Sequence, residues 1–343
     1  MGLRVLTTTA LARAVVCAVA CAVFAVASAR EACASAAWQN GAAAAQQSVP
    51  AAADATVSLC VESGDVAVRG WDRAEVRAST SAAARVELRR ADAGSDQSPS
   101  SRIEVLTLGA DEPMLTGGCS HAGGAITLDV PRGSFVQVKS YSRRIEVANV
   151  AGARVETLSG DVTLRGITKS VDATSANGVI SLRSSKGRAR LVTISGMIEA
   201  SDVGAAEAGD DFSAKTTTGD ISLARLSHAQ VEATTSNGNI ELSGTLARGG
   251  LYTLRSQTAG GVTVTLPEDS SFLVRARVAA GGEIVTDFPL RQMPRKPGDA
   301  HGEGIFSAGR LTGIYGKSDT PDATLSLTTF NGMVRLRKAG ASR

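Results

Sequence analysis

Nine glycines, Gly64, Gly160, Gly178, Gly196, Gly219, Gly238, Gly260, Gly282 and Gly332, stand in one repeated setting, and that setting limits what the chain can fold into. Two residues after each comes Val66, Val162, Ile180, Ile198, Ile221, Ile240, Val262, Ile284 or Val334, always Val or Ile. Four residues after each, eight of the nine positions are apolar, Thr286 being the exception. The residue between is mostly polar, so the pattern alternates in, out, in, as a half-buried strand does. Thr157, Ser175, Thr193, Thr216, Thr235 and Thr329 stand three residues before their glycines. The unit is T-x-x-G-x-[VI]-x-L: a strand, a turn that needs the positive φ glycine adopts without strain, and a second strand.

From Gly160 to Gly282 the anchors lie 18, 18, 23, 19, 22 and 22 residues apart. That step holds two or three short strands with their turns. It is too short for a propeller blade, and no stretch after residue 30 carries a helical period. The fold class predicted is all-β, a single-chain β-solenoid in which each coil lies on the next. One coil cannot bury its own aliphatic face, so stability comes from stacking. The expected boundaries are a signal peptide over 1–29, an Ala/Gln-rich tether over 30–55, an irregular N-terminal β layer or cap over 56–131, the repeat solenoid over 132–338 and a tail over 339–343. Residues 287–312, with Pro289, Pro294 and Pro297, read as a loop excursion before a last coil at 323–338.

Composition supports thin, uniform layers. Aromatics are 3% of the chain, too few for the bulky core of an enzyme this size, while glycines number 36. The start of the chain is an export address. Arg4 and Arg13 precede a 16-residue apolar run, Ala14–Ala29, which closes on Ala27-Ser28-Ala29 and is short for a membrane span. Cleavage after Ala29 lowers the net charge from +3 to +1, with 34 basic against 33 acidic residues. There is no basic stripe with interleaved aromatics, so nucleic acid is not an expected partner. Cys33, Cys60 and Cys119 remain after cleavage. Cys60 and Cys119 lie in β-patterned segments, and a bridge between them is the expected disulfide; the other reading keeps them as separate buried small side chains.

Val61-Glu62-Ser63-Gly64-Asp65-Val66 with Gly70-Trp71-Asp72, the stretch Leu128-Asp129-Val130-Pro131-Arg132-Gly133, and the serial Ser159-Gly160-Asp161-Val162, Thr218-Gly219-Asp220-Ile221 and Asn331-Gly332-Met333-Val334 resemble the bacterial putative-adhesin family, a domain of unknown function made of β repeats. The resemblance covers about residues 56–338. It implies an envelope-associated β-solenoid and brings no reaction with it. The sequence departs from the pattern at Arg143-Arg144-Ile145, where a coil would have Gly-Asp-Ile.

Residues that could carry chemistry are sparse. His121, His228 and His301 are far apart in sequence and read as loop or surface histidines, not as a triad or zinc site. Asp65, Asp161 and Asp220 follow their glycines and read as turn-stabilising acids, since they do not match the calcium-binding nonapeptide. Arg183, Lys186, Arg188 and Arg190 form a basic run that reads as a solvated turn or a contact for anionic glycan or lipid. Trp71 reads as a plug at the solenoid end or a platform for sugar. No catalytic residue, metal or cofactor is expected. The predicted function is a non-enzymatic, exported module of the periplasm or cell surface, binding an envelope protein or glycan and holding no transmembrane span once the signal is removed. The alternatives are a polysaccharide-acting β-helix enzyme, which would need paired carboxyls in a groove, and an accessory of envelope-stress signalling.

Overall fold

The computed structural model describes residues 46–80, 85–92, 98–108, 119, 124–292, 306–307 and 309–340. The expected signal peptide, residues 30–45 of the tether, His121, His301 and residues 341–343 lie outside them. Among the described residues every regular element is a β-strand.

The chain is a β-solenoid, and each coil consists of one long strand, a glycine turn and one short strand. In the Gly160 coil these are Gly152–Ser159 and Val162–Arg165; in the Gly178 coil they are Ser170–Asn177 and Ile180–Lys186. Long strands pair in parallel with long strands, as in Val155↔Ala173↔Leu191, and short with short, as in Leu164↔Leu182↔Ala200. Two parallel sheets therefore face each other across one shared interior. Val162, Ile180, Ile221 and Ile240 all lie in that interior at 0–1% exposure. Each fully buried aliphatic of this size contributes roughly 1.5–3 kcal/mol, and only a stacked neighbour makes the burial complete.

Among the described residues eleven coils follow one another along the stack, and the spatial order departs from chain order at both ends. Long strand Gln46–Ser63 lies between Ser100–Leu108 and Phe135–Ser142, and its short partner Val66–Trp71 lies between Ile126–Pro131 and Ile145–Ala148. The Gly64 coil is thus second in the stack, with the Gly124 coil outside it. At the far end, Ala323–Thr329 and Val334–Lys338 insert between the Gly260 coil and the coil formed by Phe272–Val278 and Ile284–Thr286. The coil at 323–338, expected last, is penultimate. Its place is taken by Phe272–Val278, whose outer edge is closed by the antiparallel strand Arg310–Tyr315. The first coil is closed likewise by Arg85–Arg90 and Glu75–Thr80. These strands cover the parallel edges at which coils would otherwise continue to pair.

Two further expectations need correction. Residues 46–55, read as tether, form the start of strand Gln46–Ser63, with Ala51 and Ala55 buried; alanine carries too little apolar contrast to mark a strand in sequence. Arg143 occupies a regular turn despite lacking glycine, with φ of 100°. It forms one column with the glycines: Gly160 faces the Arg143 carbonyl, Gly178 that of Gly160, Gly196 that of Gly178, and so on to Gly260, Gly332 and Gly282.

The repeated Thr has a matching role. Its side chain points into the interior, where Thr216 Oγ1 donates to the Gly196 carbonyl (3.2 Å), Thr235 to Gly219 (3.0 Å) and Thr329 to Gly260 (2.7 Å). Each hydroxyl thus satisfies the glycine carbonyl of the neighbouring coil. The hydroxyls of Ser175 and Thr193, equally buried, have no partner among the described residues. Thr235→Val should therefore cost about 1–3 kcal/mol, because it removes the hydroxyl donor to the half-buried Gly219 carbonyl. Thr193→Val should be neutral or stabilising. Equal losses in chemical denaturation of the two variants would contradict this role for the column.

The residue after the glycine links coils on the outside. Asp65 accepts from the Arg144 amide (3.3 Å), Asp161 from Val179 (3.0 Å), Asp220 from Asn239 (2.7 Å), and Asn239 from Gly261 (2.9 Å). An acid in one coil caps the turn of the next.

Candidate functional surface

The long-strand sheet presents its alternate residues to solvent, and coil stacking brings residues about 20 positions apart in sequence to about 4.8 Å spacing. Four ion pairs cross between neighbouring coils on this face: Lys139–Glu156 at 3.0 Å, Arg154–Asp172 at 3.2 Å, Arg188–Asp211 at 2.8 Å and Lys215–Glu232 at 3.6 Å. All are substantially exposed, so each contributes at most about 1 kcal/mol to folding. Their consequence is a patterned surface charge.

Between the Gly196 and Gly260 coils this face carries a depression of about 750 Å³. Arg188, Arg190, Lys215 and Arg255 line it together with Asp211, Glu232 and the half-buried Ser213 and Thr253. The guanidinium groups of Arg190 and Arg255 make no ion pair or hydrogen bond among the described residues.

The basic run read from the sequence is divided by the fold. Arg183 and Lys186 belong to a short strand, where Arg183 pairs with Glu199 at 3.3 Å, whereas Arg188 and Arg190 turn onto the long-strand face. Lys215 and Arg255 join Arg190 instead. Their positions relative to the glycine anchors carried the signal: Arg190 and Glu232 stand six residues before theirs, and Lys215 four. Arg255 is displaced by one through an irregularity between Thr235 and Asn237.

A second feature of the face is apolar. Tyr141, Leu158 and Ile194 are 54%, 55% and 58% exposed and, with Ala176, occupy one outward column across four successive coils. Beside it, Cys60 is joined to Cys119 by a disulfide, with the Cα atoms 4.6 Å apart. By loop-closure entropy a bridge spanning 59 residues stabilises by about 4 kcal/mol. Cys119→Ser is therefore expected to lower stability by 2–4 kcal/mol, about the range seen when native disulfides are removed from small exported domains. A melting temperature unchanged by the substitution would show that the bridge does not restrain the chain.

The remaining candidates resolve as structure. His228, expected on a surface, is fully buried: its Nε2 lies 2.9 Å from the Gly187 carbonyl, and its ring packs near Phe212. Trp71 is half-buried rather than an end plug. Its indole N–H donates to the Glu75 carbonyl, and the guanidinium groups of Arg77 and Arg73 lie 4.5 and 4.9 Å from the ring. Among the described residues no three His, Cys, Asp or Glu side chains converge to hold a metal ion, and no helix is long and apolar enough to cross a membrane.

Among the described residues five carboxyls are held in their charged form by hydrogen bonds. Hydrogen bonds from Arg132 and Arg225 hold Asp72 and Asp202 below the usual carboxylate range. The Ser100 and Ser101 hydroxyls do the same for Asp92, backbone amides at Glu207 and Ala206 for Asp210, and Lys338 for Glu268. A general acid in glycoside cleavage needs the opposite displacement.

A family model described as Toastrack DUF4097 matches residues 48–293. A crystal structure described as "a putative cell adhesion protein" from Clostridium sporogenes aligns over 86% of this chain and 99% of its own at 9% identity, with a TM-score of 0.21. No curated protein sequence matches the chain. The family match spans well over half of the residues and falls on the glycine-anchored coils, and the chain therefore belongs to the Toastrack DUF4097 family.

Proposed function

We propose that this protein is an exported, non-enzymatic module of the cell envelope that binds an envelope polymer or protein along its long-strand face. The observation that carries the reading is the geometry of that face. Outward columns of polar, charged and apolar side chains run unbroken over successive coils, while the outer long-strand edge at each end is covered by an antiparallel strand. A stack of this kind offers an extended surface instead of a deep pocket. The signal-like N-terminus and the disulfide agree with an oxidising compartment outside the cytoplasm.

Purified protein should bind isolated cell envelopes saturably, and the native chain should fractionate with the envelope or culture medium. Recovery of the uncleaved chain in the cytoplasm, or binding that never saturates, would defeat the reading.

A further inference from the structure

The depression on the long-strand face combines features that the fold does not require. Arg190 and Arg255 are exposed, and neither guanidinium is engaged with a neighbour, although every other cation lining the depression is paired with a carboxylate. Four cations against two carboxylates leave a local excess of two positive charges. Ser213 and Thr253 are half-buried and stand on either side of Glu232 in the outward column that runs from Arg190.

Resting on the proposed binding function, we infer that this depression is a site for a linear carboxylated polysaccharide, a polyuronate, lying along the stack axis. Arg190 belongs to the Gly196 coil and Arg255 to the Gly260 coil, three coil steps apart. That is about 14 Å at ordinary strand spacing, so one small anion cannot reach both and a chain bearing repeated anionic groups can. Guanidinium groups take carboxylates through two parallel N–H···O bonds, and the threonine and serine hydroxyls between them match a ligand rich in hydroxyl groups. The site lacks the exposed rings on which nucleic-acid bases stack: the aromatic residue at its wall, Phe212, is 1% exposed and turned into the core. Lys215–Glu232, the pair midway between the two arginines, keeps the intervening surface neutral, so the ligand charge is read at the two free positions.

The test uses the intact protein, with polygalacturonate, neutral dextran and inorganic polyphosphate as separate probes, measured by titration calorimetry at low and moderate salt. The wild type should bind polygalacturonate saturably and dextran not at all. R190Q/R255Q should weaken that binding at least tenfold with an unchanged melting temperature, since neither side chain supports the fold. R165Q/R337Q makes the same change of charge on the short-strand face and should alter binding less than twofold. Equal losses in the two double variants, equally tight binding of polyphosphate, or no saturable binding of polygalacturonate would overturn the assignment. Envelope binding by R190Q/R255Q at wild-type strength would overturn this ligand while leaving the proposed function standing. Failure of the wild type to bind envelopes while it still binds polygalacturonate would count against the envelope role alone.

Discussion

Gly219→Val should destabilise the fold by about 2–5 kcal/mol and lower its melting temperature sharply. Gly219 sits mid-stack at φ of +143°, and a Cβ added there would overlap the carbonyl oxygen of Gly196 in the adjacent coil. That coil cannot withdraw. The Gly196 amide is bound to the Thr218 carbonyl (2.9 Å), the Gly219 amide to Asn237 (2.9 Å), and the Gly196 carbonyl receives the Thr216 hydroxyl. Forced overpacking costs about 1–3 kcal/mol, and a branched residue in left-handed backbone adds about 1–2 more. The sum is a large share of the 5–15 kcal/mol that typically holds a domain together. Gly209→Ala is the matched control: its φ is +95°, but nothing lies within 4 Å of the added atom, so only about 1 kcal/mol of backbone strain should appear. Arg143→Gly should have the opposite sign and stabilise by about 0.5–1 kcal/mol, because the native residue already bears that strain. A Gly219→Val protein melting within a few degrees of wild type would contradict the packed glycine column.

Deleting residues 321–343 should be nearly as damaging. In a stack that followed chain order, this deletion would trim the final coil and leave the rest intact. Here the deleted strands lie between two other coils. Leu325, Leu327, Val334 and Leu336 are at most 1% exposed, and their loss removes about 6–12 kcal/mol of apolar burial while uncovering the coils on either side. The coil formed by Phe272–Val278 and Ile284–Thr286 then loses the strand pairing that joins it to the stack among the described residues. Thermal melting should shift down by more than about 15 °C or lose cooperativity, with early proteolysis in 268–320. A deletion variant that melts like wild type would show that the terminal coil is dispensable.

How much could be read in advance follows from which interactions repeat. The T-x-x-G-x-[VI]-x-L unit recurs because every coil meets its neighbours alike, so the strands, the glycine turns and the dry interior were legible residue by residue. The Asp65, Asp161 and Asp220 turns were legible too, as each acid caps an adjacent amide. The basic depression was only half legible. Arg188 and Arg190 stood together in sequence, but Lys215 and Arg255 joined them through stacking, and the irregularity before Ala259 hid Arg255 from a simple count. His228 misled because a lone histidine in a polar stretch carries no sign of the carbonyl at Gly187 that receives it inside.

The sequence by itself determined the coil: its two strands, its inward aliphatics and the glycine that lets neighbouring backbones touch, all of which depend on residues within about ten positions of one another. Only the tertiary structure decided the order of coils, because Gln46–Ser63 and Ala323–Thr329 present the same edge pattern as any other strand and can pair with any equivalent edge. Their insertion between coils is chosen by which ends the antiparallel strands close, a contest among distant segments that no local pattern records.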